Sequence, residues 1–203
     1  MRQTLTTIAA LCATGAMAQL EIRPHVGMNL QNFTEAPTYS EWKSKAGFQV
    51  GGDLMFGSKV HFSAGLQYVL GNVGITSTTT NINGEEVTVE GTVSTGSLRV
   101  PLRFGYRFVD PEERPAFNFR LFGGLAASLP IVTEFDQDGV RDVKFNDTQL
   151  AITAGAGLDI SVFFIDVSYD IGMTPVFDDE RIDVDPKANM LQVNAGVRLK
   201  LAR

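Results

Sequence analysis

Beyond residue 19 the chain alternates apolar and polar residues with a period of two, the spacing of a β-strand with one apolar face. Within residues 97–108, for example, Val100 and Leu102 fall on one face while Arg99 and Arg103 fall on the other. The same pattern predicts strands at 20–31, 47–56, 59–70, 97–108, 117–129, 149–160, 163–173 and 190–201. Segments of about ten residues match tilted, membrane-crossing strands better than the five or six residues usual in globular sheets.

The connections between these eight strands alternate strictly between short and long. The short ones are 57–58, 109–116 and 161–162, and the long polar ones are 32–46, 71–95, 130–148 and 174–189. Outer-membrane barrels have an even number of strands, with short turns in the periplasm and long loops outside. The sequence therefore predicts an all-β fold: an eight-stranded antiparallel up-and-down transmembrane β-barrel with both termini on the periplasmic side.

Aromatic residues cluster on the apolar face close to the short turns, as in the aromatic girdle at one membrane interface. The cluster comprises Phe56, Phe62, Tyr106, Phe108, Phe117, Phe119 and Phe163. A soluble, lipocalin-like barrel also has eight antiparallel strands, but it turns its apolar face inward and its polar face to water. Because glycines recur on the polar face here, which suits a crowded interior, the pattern favours the membrane barrel.

The polar face of the predicted strands carries charges of both signs. We expect an interior polar network of Arg99, Arg103, Arg107, Arg120, Arg198, Asp53, Asp159, Asp166 and Asp170, with Glu21, Arg23 and Lys200 also facing inward. The interior of an eight-stranded barrel is just wide enough for its side chains, and arginine can bridge carboxylates on neighbouring strands. The sequence thus predicts a side-chain-filled, salt-bridged interior. The alternative is a narrow ion-selective path past the arginines of the fourth strand.

Composition and charge narrow the class of protein. The 203 residues are 44% hydrophobic and carry a net charge of −6. No apolar run reaches the roughly 18 residues of a transmembrane helix, and an acidic chain lacks the basic clusters that bind nucleic acid. Arg2, an apolar stretch and the cleavage site Ala16-Met17-Ala18 predict a secretory signal peptide at 1–18, leaving a barrel domain at 19–203. Cys12, the single cysteine, would leave with that signal.

The sequence offers little for catalysis. His25 and His61 are the two histidines, both on the inward face, and the HExxH and GxSxG motifs are absent. His25 with Asp53 or Asp170 is the one conceivable start of a hydrolase or acyltransferase site, although a buried histidine satisfied by a carboxylate is commoner. We therefore expect no enzyme, no cofactor and no metal site.

One of the long connections is strongly acidic. It contains Asp178, Asp179, Glu180, Asp183 and Asp185. The simple interpretation is a solvated surface loop. The alternative is a loop that divalent cations bridge to the phosphates of lipopolysaccharide.

Several stretches resemble one known family. Residues 97–108, SLRVPLRFGYRF, are similar to the Leu-x-Ile/Val-Pro-Leu strand of the PorT-like outer-membrane β-barrel proteins of Bacteroidetes, barrels of the OmpX/OmpA-like kind. Residues 155–159, 165–174 and 196–199 resemble later strands of that family. The resemblance implies an outer-membrane barrel, and the founding type of the family is linked to protein secretion. The ending at 201–203, Leu-Ala-Arg, departs from the terminal aromatic residue of many outer-membrane barrels.

These observations predict a small integral protein of the cell outer membrane with a structural or surface-interaction role carried by its long loops. The alternatives are an accessory barrel of an outer-membrane protein secretion system and an outer-membrane lipid-modifying enzyme. The expected partners are outer-membrane lipid, lipopolysaccharide and the barrel-assembly machinery during biogenesis, with proteins of a secretion complex under the first alternative. We expect no nucleic-acid partner and a monomeric barrel.

Overall fold

A computed structural model of the chain describes residues 20–34, 40–80, 86–113, 116–135, 146, 148–176 and 186–201. Its strands are β1 (Leu20–Phe33), β2 (Ser40–Gly57), β3 (Val60–Thr80), β4 (Glu86–Arg107), β5 (Phe117–Phe135), β6 (Gln149–Ile160), β7 (Phe163–Gly172), β8 (Ala188–Val197) and β9 (Leu199–Lys200). A 3-10 turn, Pro111–Glu113, follows β4. No helix in these ranges is long and apolar enough to cross a membrane. The predicted signal peptide at 1–18 lies outside the described residues.

The strands form one closed antiparallel sheet. Each strand from β1 to β8 pairs with the next along the chain, and the pairing of β1 with both β2 and β8 closes the ring. β9 continues β8 after a break at Arg198 and also pairs with β1, so the barrel has eight strands. The predicted fold is therefore confirmed. Each predicted segment forms one strand of the ring, and β6 has the predicted bounds, Gln149–Ile160.

Strands extend well into three of the predicted long loops. We expected a loop at 71–95, but β3 and β4 stay paired as far as Thr80 and Glu86, and β4 pairs with β5 as far as Val93 and Phe135. This stretch has few large apolar residues, so it lacks the pattern on which the strand prediction rested. It is rich in threonine and valine, whose branched side chains favour a pleated strand. We call the extension formed by residues 40–45, 72–80, 86–95 and 130–135 the outer sheet.

The barrel wall has its apolar face outside and its polar face inside. Phe104 and Leu125 are each 62% exposed, whereas Glu21, Arg23 and Arg107 are completely buried. All seven aromatic residues of the predicted girdle lie on the outer face, between 37% and 62% exposed. A protein in water would not leave so much apolar surface uncovered, so this face contacts lipid.

Glycines make room for large side chains inside the barrel. A Cβ atom at Gly157 would overlap Asp166 Oδ1 and lie 2.8 Å from the guanidinium carbon of Arg120, so any larger residue there would displace this ion pair. Gly52 belongs to the outer face by strand alternation, and there the nearest atoms to an added Cβ would be 3.8 Å away. Gly57 has a φ angle of 111°, which suits glycine in the tight turn between β2 and β3.

Candidate functional site

The candidate site is the barrel interior, where the structure places the predicted charged residues. Two groups can be distinguished. The lower cluster lies toward the short turns and contains Glu21, Arg23, Arg107, Arg120, Asp159, Asp166 and Arg198. The upper cluster lies toward the outer sheet and contains His25, Asp53, Gln67, Arg99, Arg103, Asp170 and Gln192.

Glu21, at the start of β1, is one centre of the lower cluster. Arg107 Nη2 donates to Glu21 Oε2 at 2.8 Å, and Arg198 Nη2 donates to Glu21 Oε1 at 2.8 Å. Arg198 also donates to the backbone carbonyl of Ser161 in the β6–β7 turn, at 3.4 Å. These contacts join the first, fourth and last strands of the ring at the end with the short turns.

Asp159, near the end of β6, is the second centre of the lower cluster. Its Oδ1 accepts hydrogen bonds from Arg23 Nη2 at 2.7 Å and from Arg120 Nε at 3.2 Å. Its Oδ2 lies 3.7 Å from Arg107 Nε and 3.5 Å from Arg198 Nη1. One carboxylate thus faces four guanidinium groups, and Arg120 in turn forms a short contact with Asp166.

Arg99 and Asp170 connect opposite parts of the wall in the upper cluster. Arg99 Nη2 is 2.5 Å from Asp170 Oδ2, and Arg99 Nη1 donates to Gln67 Oε1 at 2.8 Å. Gln192 Nε2 donates to the same Asp170 oxygen at 2.8 Å. Arg103 forms a separate pair with Asp53 at 2.6 Å. The contacts of Arg99 are charge-assisted hydrogen bonds, which are among the stronger ones in proteins, whereas the Arg103–Asp53 contact is an ion pair without hydrogen-bond geometry.

His25 belongs to the upper cluster and is 5% exposed. Its Nδ1 is 3.1 Å from the carbonyl oxygen of Arg23 and 3.8 Å from Asp53 Oδ2, and its Nε2 is 3.2 Å from Gln67 Nε2. Because Gln67 Oε1 accepts from Arg99, its amide nitrogen faces the ring and donates to Nε2. Nδ1 then carries the proton and donates to the Arg23 carbonyl. The ring is thus held in a structural hydrogen-bond network, beyond hydrogen-bond distance of Asp53.

His61 has different surroundings. It lies on β3 opposite Gly105 and is 2% exposed. Neither of its ring nitrogens has a hydrogen-bond partner in the described part of the chain. Buried polar atoms of this kind usually bind an ordered water molecule or an ion.

Apolar side chains in the interior were not anticipated from the sequence. The ring of Phe164 lies 3.9 Å below the guanidinium carbon of Arg23, and the ring of Phe122 lies 5.2 Å from that of Arg103. Met55 accepts a contact from Arg107 Nη2 at 2.9 Å. Strand alternation is the signal that could have located them, because all three fall in phase with the inward residues of their strands.

The structure brings the nine predicted network residues together inside the barrel, and each is buried in at least one ion pair. Lys200 pairs with the inward-facing Glu21 and so lies on the inner face of the wall as predicted, but its side chain is exposed at the end of the barrel.

The described residues contain no group of three or more His, Cys, Asp or Glu side chains arranged to bind a metal ion. The acidic stretch at 178–185 lies outside them.

A closed eight-stranded barrel with an apolar outer wall and an ion-paired interior is characteristic of outer-membrane barrel proteins. In agreement, residues 13–178 match the family described as outer membrane protein beta-barrel domain, and the chain belongs to that family. Its location is the outer membrane. No protein among those with curated functions matches the sequence.

Solved structures show the same fold. The outer membrane protein OprG from Pseudomonas aeruginosa is 10% identical, with a TM-score of 0.57 over 93% of this chain and 99% of that one. Neisserial surface protein A, NspA, is 11% identical, with a TM-score of 0.50 over 90% of this chain and 97% of its own. At such low identity the likeness concerns the fold alone.

Proposed function

We propose that the protein is a plugged outer-membrane barrel that forms no open channel and anchors the outer sheet at the cell surface. The observation that carries this proposal is the set of ion pairs that cross the lumen. Arg23–Asp159 joins β1 to β6, Arg99–Asp170 joins β4 to β7, and Arg107–Glu21 joins β4 to β1. Each pair connects strands three places apart in the ring of eight, so the crossings obstruct the lumen at several heights.

Planar-bilayer recording tests the absence of a channel. Purified wild-type barrel should give no stable, large single-channel steps. The double variant Arg99→Ala/Asp170→Ala removes a whole cross-lumen bridge and leaves no unpaired charge behind. Its conductance should exceed that of the wild type, which also verifies that the barrel inserts under the conditions of the recording. Stable, large steps from the wild type would contradict the proposal.

The outer sheet is the part that we propose to act at the surface. Support comes from its size and pairing, since it continues the barrel strands without a break in β3 and β4. A paired sheet on a rigid barrel presents a fixed surface, whereas an irregular loop of the same length does not.

The surface role is tested by shortening the outer sheet. The register pairs Asn72 with Ser94, so replacing residues 73–93 by Asn-Gly closes the hairpin there with a two-residue turn. The barrel should still reach the outer membrane, but cells that carry the short variant should attach less to neighbouring cells or to a solid support. Unchanged attachment at equal protein level would rule out a role for the sheet in adhesion.

A second candidate is an accessory barrel of an outer-membrane protein secretion system, supported by the PorT-like resemblance of residues 97–108. In the structure these residues belong mainly to β4, which supplies Arg99, Arg103 and Arg107 to the interior. The proposed contact with a secretion complex is the adjoining short connection at 109–116, which contains the exposed Glu113. Crosslinking of intact membranes followed by purification of the barrel tests it, because an accessory role requires a larger complex to co-purify.

A further inference from the structure

The buried charges of the described interior do not cancel. Six arginines face five carboxylates, so one positive charge is in excess when the histidines are neutral; the groups are Arg23, Arg99, Arg103, Arg107, Arg120 and Arg198 against Glu21, Asp53, Asp159, Asp166 and Asp170. The upper cluster is balanced at two against two, whereas the lower cluster has four arginines and three carboxylates. A buried charge without a counter-charge is costly, so an interior of this kind needs one.

The surroundings of His61 indicate where a counter-charge would fit. The strand register places His61 opposite the position midway between Arg103 and Arg107 on β4. Both arginines reach across β3, because Arg103 pairs with Asp53 on β2 at 2.6 Å and Arg107 pairs with Glu21 on β1 at 2.8 Å. The register therefore makes His61 a diagonal neighbour of both arginines on the adjacent strand.

The polar atoms around this point lack partners. Both ring nitrogens of His61 and Arg103 Nε are buried and have no hydrogen-bond partner in the described part of the chain, and Arg107 Nε has none either, since Asp159 Oδ2 lies 3.7 Å from it, beyond hydrogen-bond distance. A neutral imidazole contributes one N–H group, and each guanidinium Nε contributes another. Three donors without a hydrogen bond thus belong to side chains that are neighbours in the register, in an interior whose net charge is positive, which is the chemistry of an anion site.

We propose that a small inorganic anion, chloride under cellular conditions, binds inside the barrel at His61, Arg103 and Arg107. A monovalent anion would cancel the excess charge and accept hydrogen bonds from the three donors. A water molecule could satisfy the donors but would leave the charge. This inference extends the proposed plugged barrel, because the ion becomes part of the plug, yet it stands on the charge balance and the unpartnered donors and does not depend on the role of the outer sheet.

Crystals of the wild-type barrel soaked in sodium bromide provide the direct test. We expect an anomalous peak in contact with the His61 ring and the two guanidinium groups. Its absence from the interior, or density there that scatters only as water, would overturn the proposal. A peak at this place without any effect of halide in solution would mean an adventitious ion only, and would overturn it as well.

Thermal unfolding of the detergent-solubilised wild type supplies the solution measurement. When chloride replaces gluconate at constant ionic strength, the unfolding temperature should rise by about 3–6 °C for each tenfold increase in chloride concentration above its Kd. Gluconate is the control, because it is too large for a site enclosed by buried side chains. Equal unfolding temperatures in the two salts would overturn the proposal.

A matched pair of variants separates anion binding from general salt effects. His61→Glu places a carboxylate where the anion is proposed to bind, so the variant should fold and its unfolding temperature should no longer depend on chloride. His61→Gln is similar in size but neutral, keeps the excess charge and should keep a chloride dependence. The same dependence in both variants would overturn the proposal. If His61→Glu does not fold, the bromide and gluconate measurements on the wild type still test whether the anion binds.

Discussion

Asp159 stabilises more of the interior than its single charge suggests. Its carboxylate is 2.7 Å from Arg23 and 3.2 Å from Arg120, and it faces two more arginines beyond them. Asp159→Ala would leave these buried guanidinium groups short of a counter-charge, so we expect a loss of about 3–5 kcal/mol in the free energy of unfolding. Denaturant unfolding in detergent micelles measures it. The exposed control Glu113→Gln should stay within about 0.5 kcal/mol of the wild type, and an Asp159→Ala variant as stable as this control would contradict the prediction.

Replacement by alanine should affect stability differently at two glycines of the barrel wall. An added methyl at Gly157 would overlap Asp166 Oδ1 and lie 2.8 Å from the guanidinium of Arg120, so it would disturb the ion pair between them. Gly157→Ala should therefore cost about 1–3 kcal/mol. At Gly52 the nearest atoms are 3.8 Å away, so Gly52→Ala should change stability little. The unfolding midpoints of the two variants, measured under one condition, give the comparison. Equal losses of stability would show that Gly157 is not needed to relieve crowding in the interior.

At the scale of elements, a substitution in β5 tests which face of the barrel wall contacts lipid. Leu125 lies on its outer face and is 62% exposed. In a membrane, Leu125→Arg should cost up to about 2–4 kcal/mol, because an arginine near the bilayer midplane is unfavourable. Leu125→Ala is the control and should have a much smaller effect. Unfolding by guanidinium chloride in phospholipid vesicles measures both effects. An unchanged free energy of unfolding for Leu125→Arg would indicate that this face lies in water.

The length of each strand could be predicted only where large apolar residues alternate with polar ones. β6 was predicted residue for residue, since Leu150, Ile152 and Leu158 define its outer face over the whole strand. β3 and β4 were predicted too short, because their outer halves are held by backbone pairing and contain valine, isoleucine and threonine but none of the leucine and aromatic residues that mark the lipid-facing rows. Strand pairing beyond the lipid needs no large apolar face, and so it gives only a weak periodic signal.

The identity of the interior residues could be predicted, but their partners could not. Alternation alone directs Arg23 and Asp159 inward. Their contact at 2.7 Å, across 136 positions of sequence, depends on the tilt and stagger of the closed barrel, which the pattern of one strand does not specify. The same geometry brings Arg103 and Arg107 to either side of His61.

For the whole molecule, closure of the sheet predicts resistance to detergent. β1 pairs with both β2 and β8, so the ring has no free edge at which unfolding could begin within the membrane-spanning part. An outer-membrane fraction should therefore show one mobility on a gel before boiling and another after it. An identical mobility in both states, with recovery of the protein in the soluble fraction, would contradict a closed membrane barrel.

The orientation of the molecule follows from the unequal lengths of the strand connections at the two ends of the barrel. The outer sheet projects from one end, whereas Glu113 lies in a short connection at the other. Short turns of outer-membrane barrels face the periplasm, so the outer sheet should face the medium. In a Cys12→Ser background, a membrane-impermeant maleimide should label Thr88→Cys on intact cells and Glu113→Cys only after the outer membrane is permeabilised. The reverse pattern would place the outer sheet in the periplasm, and the surface role proposed for it would then be excluded.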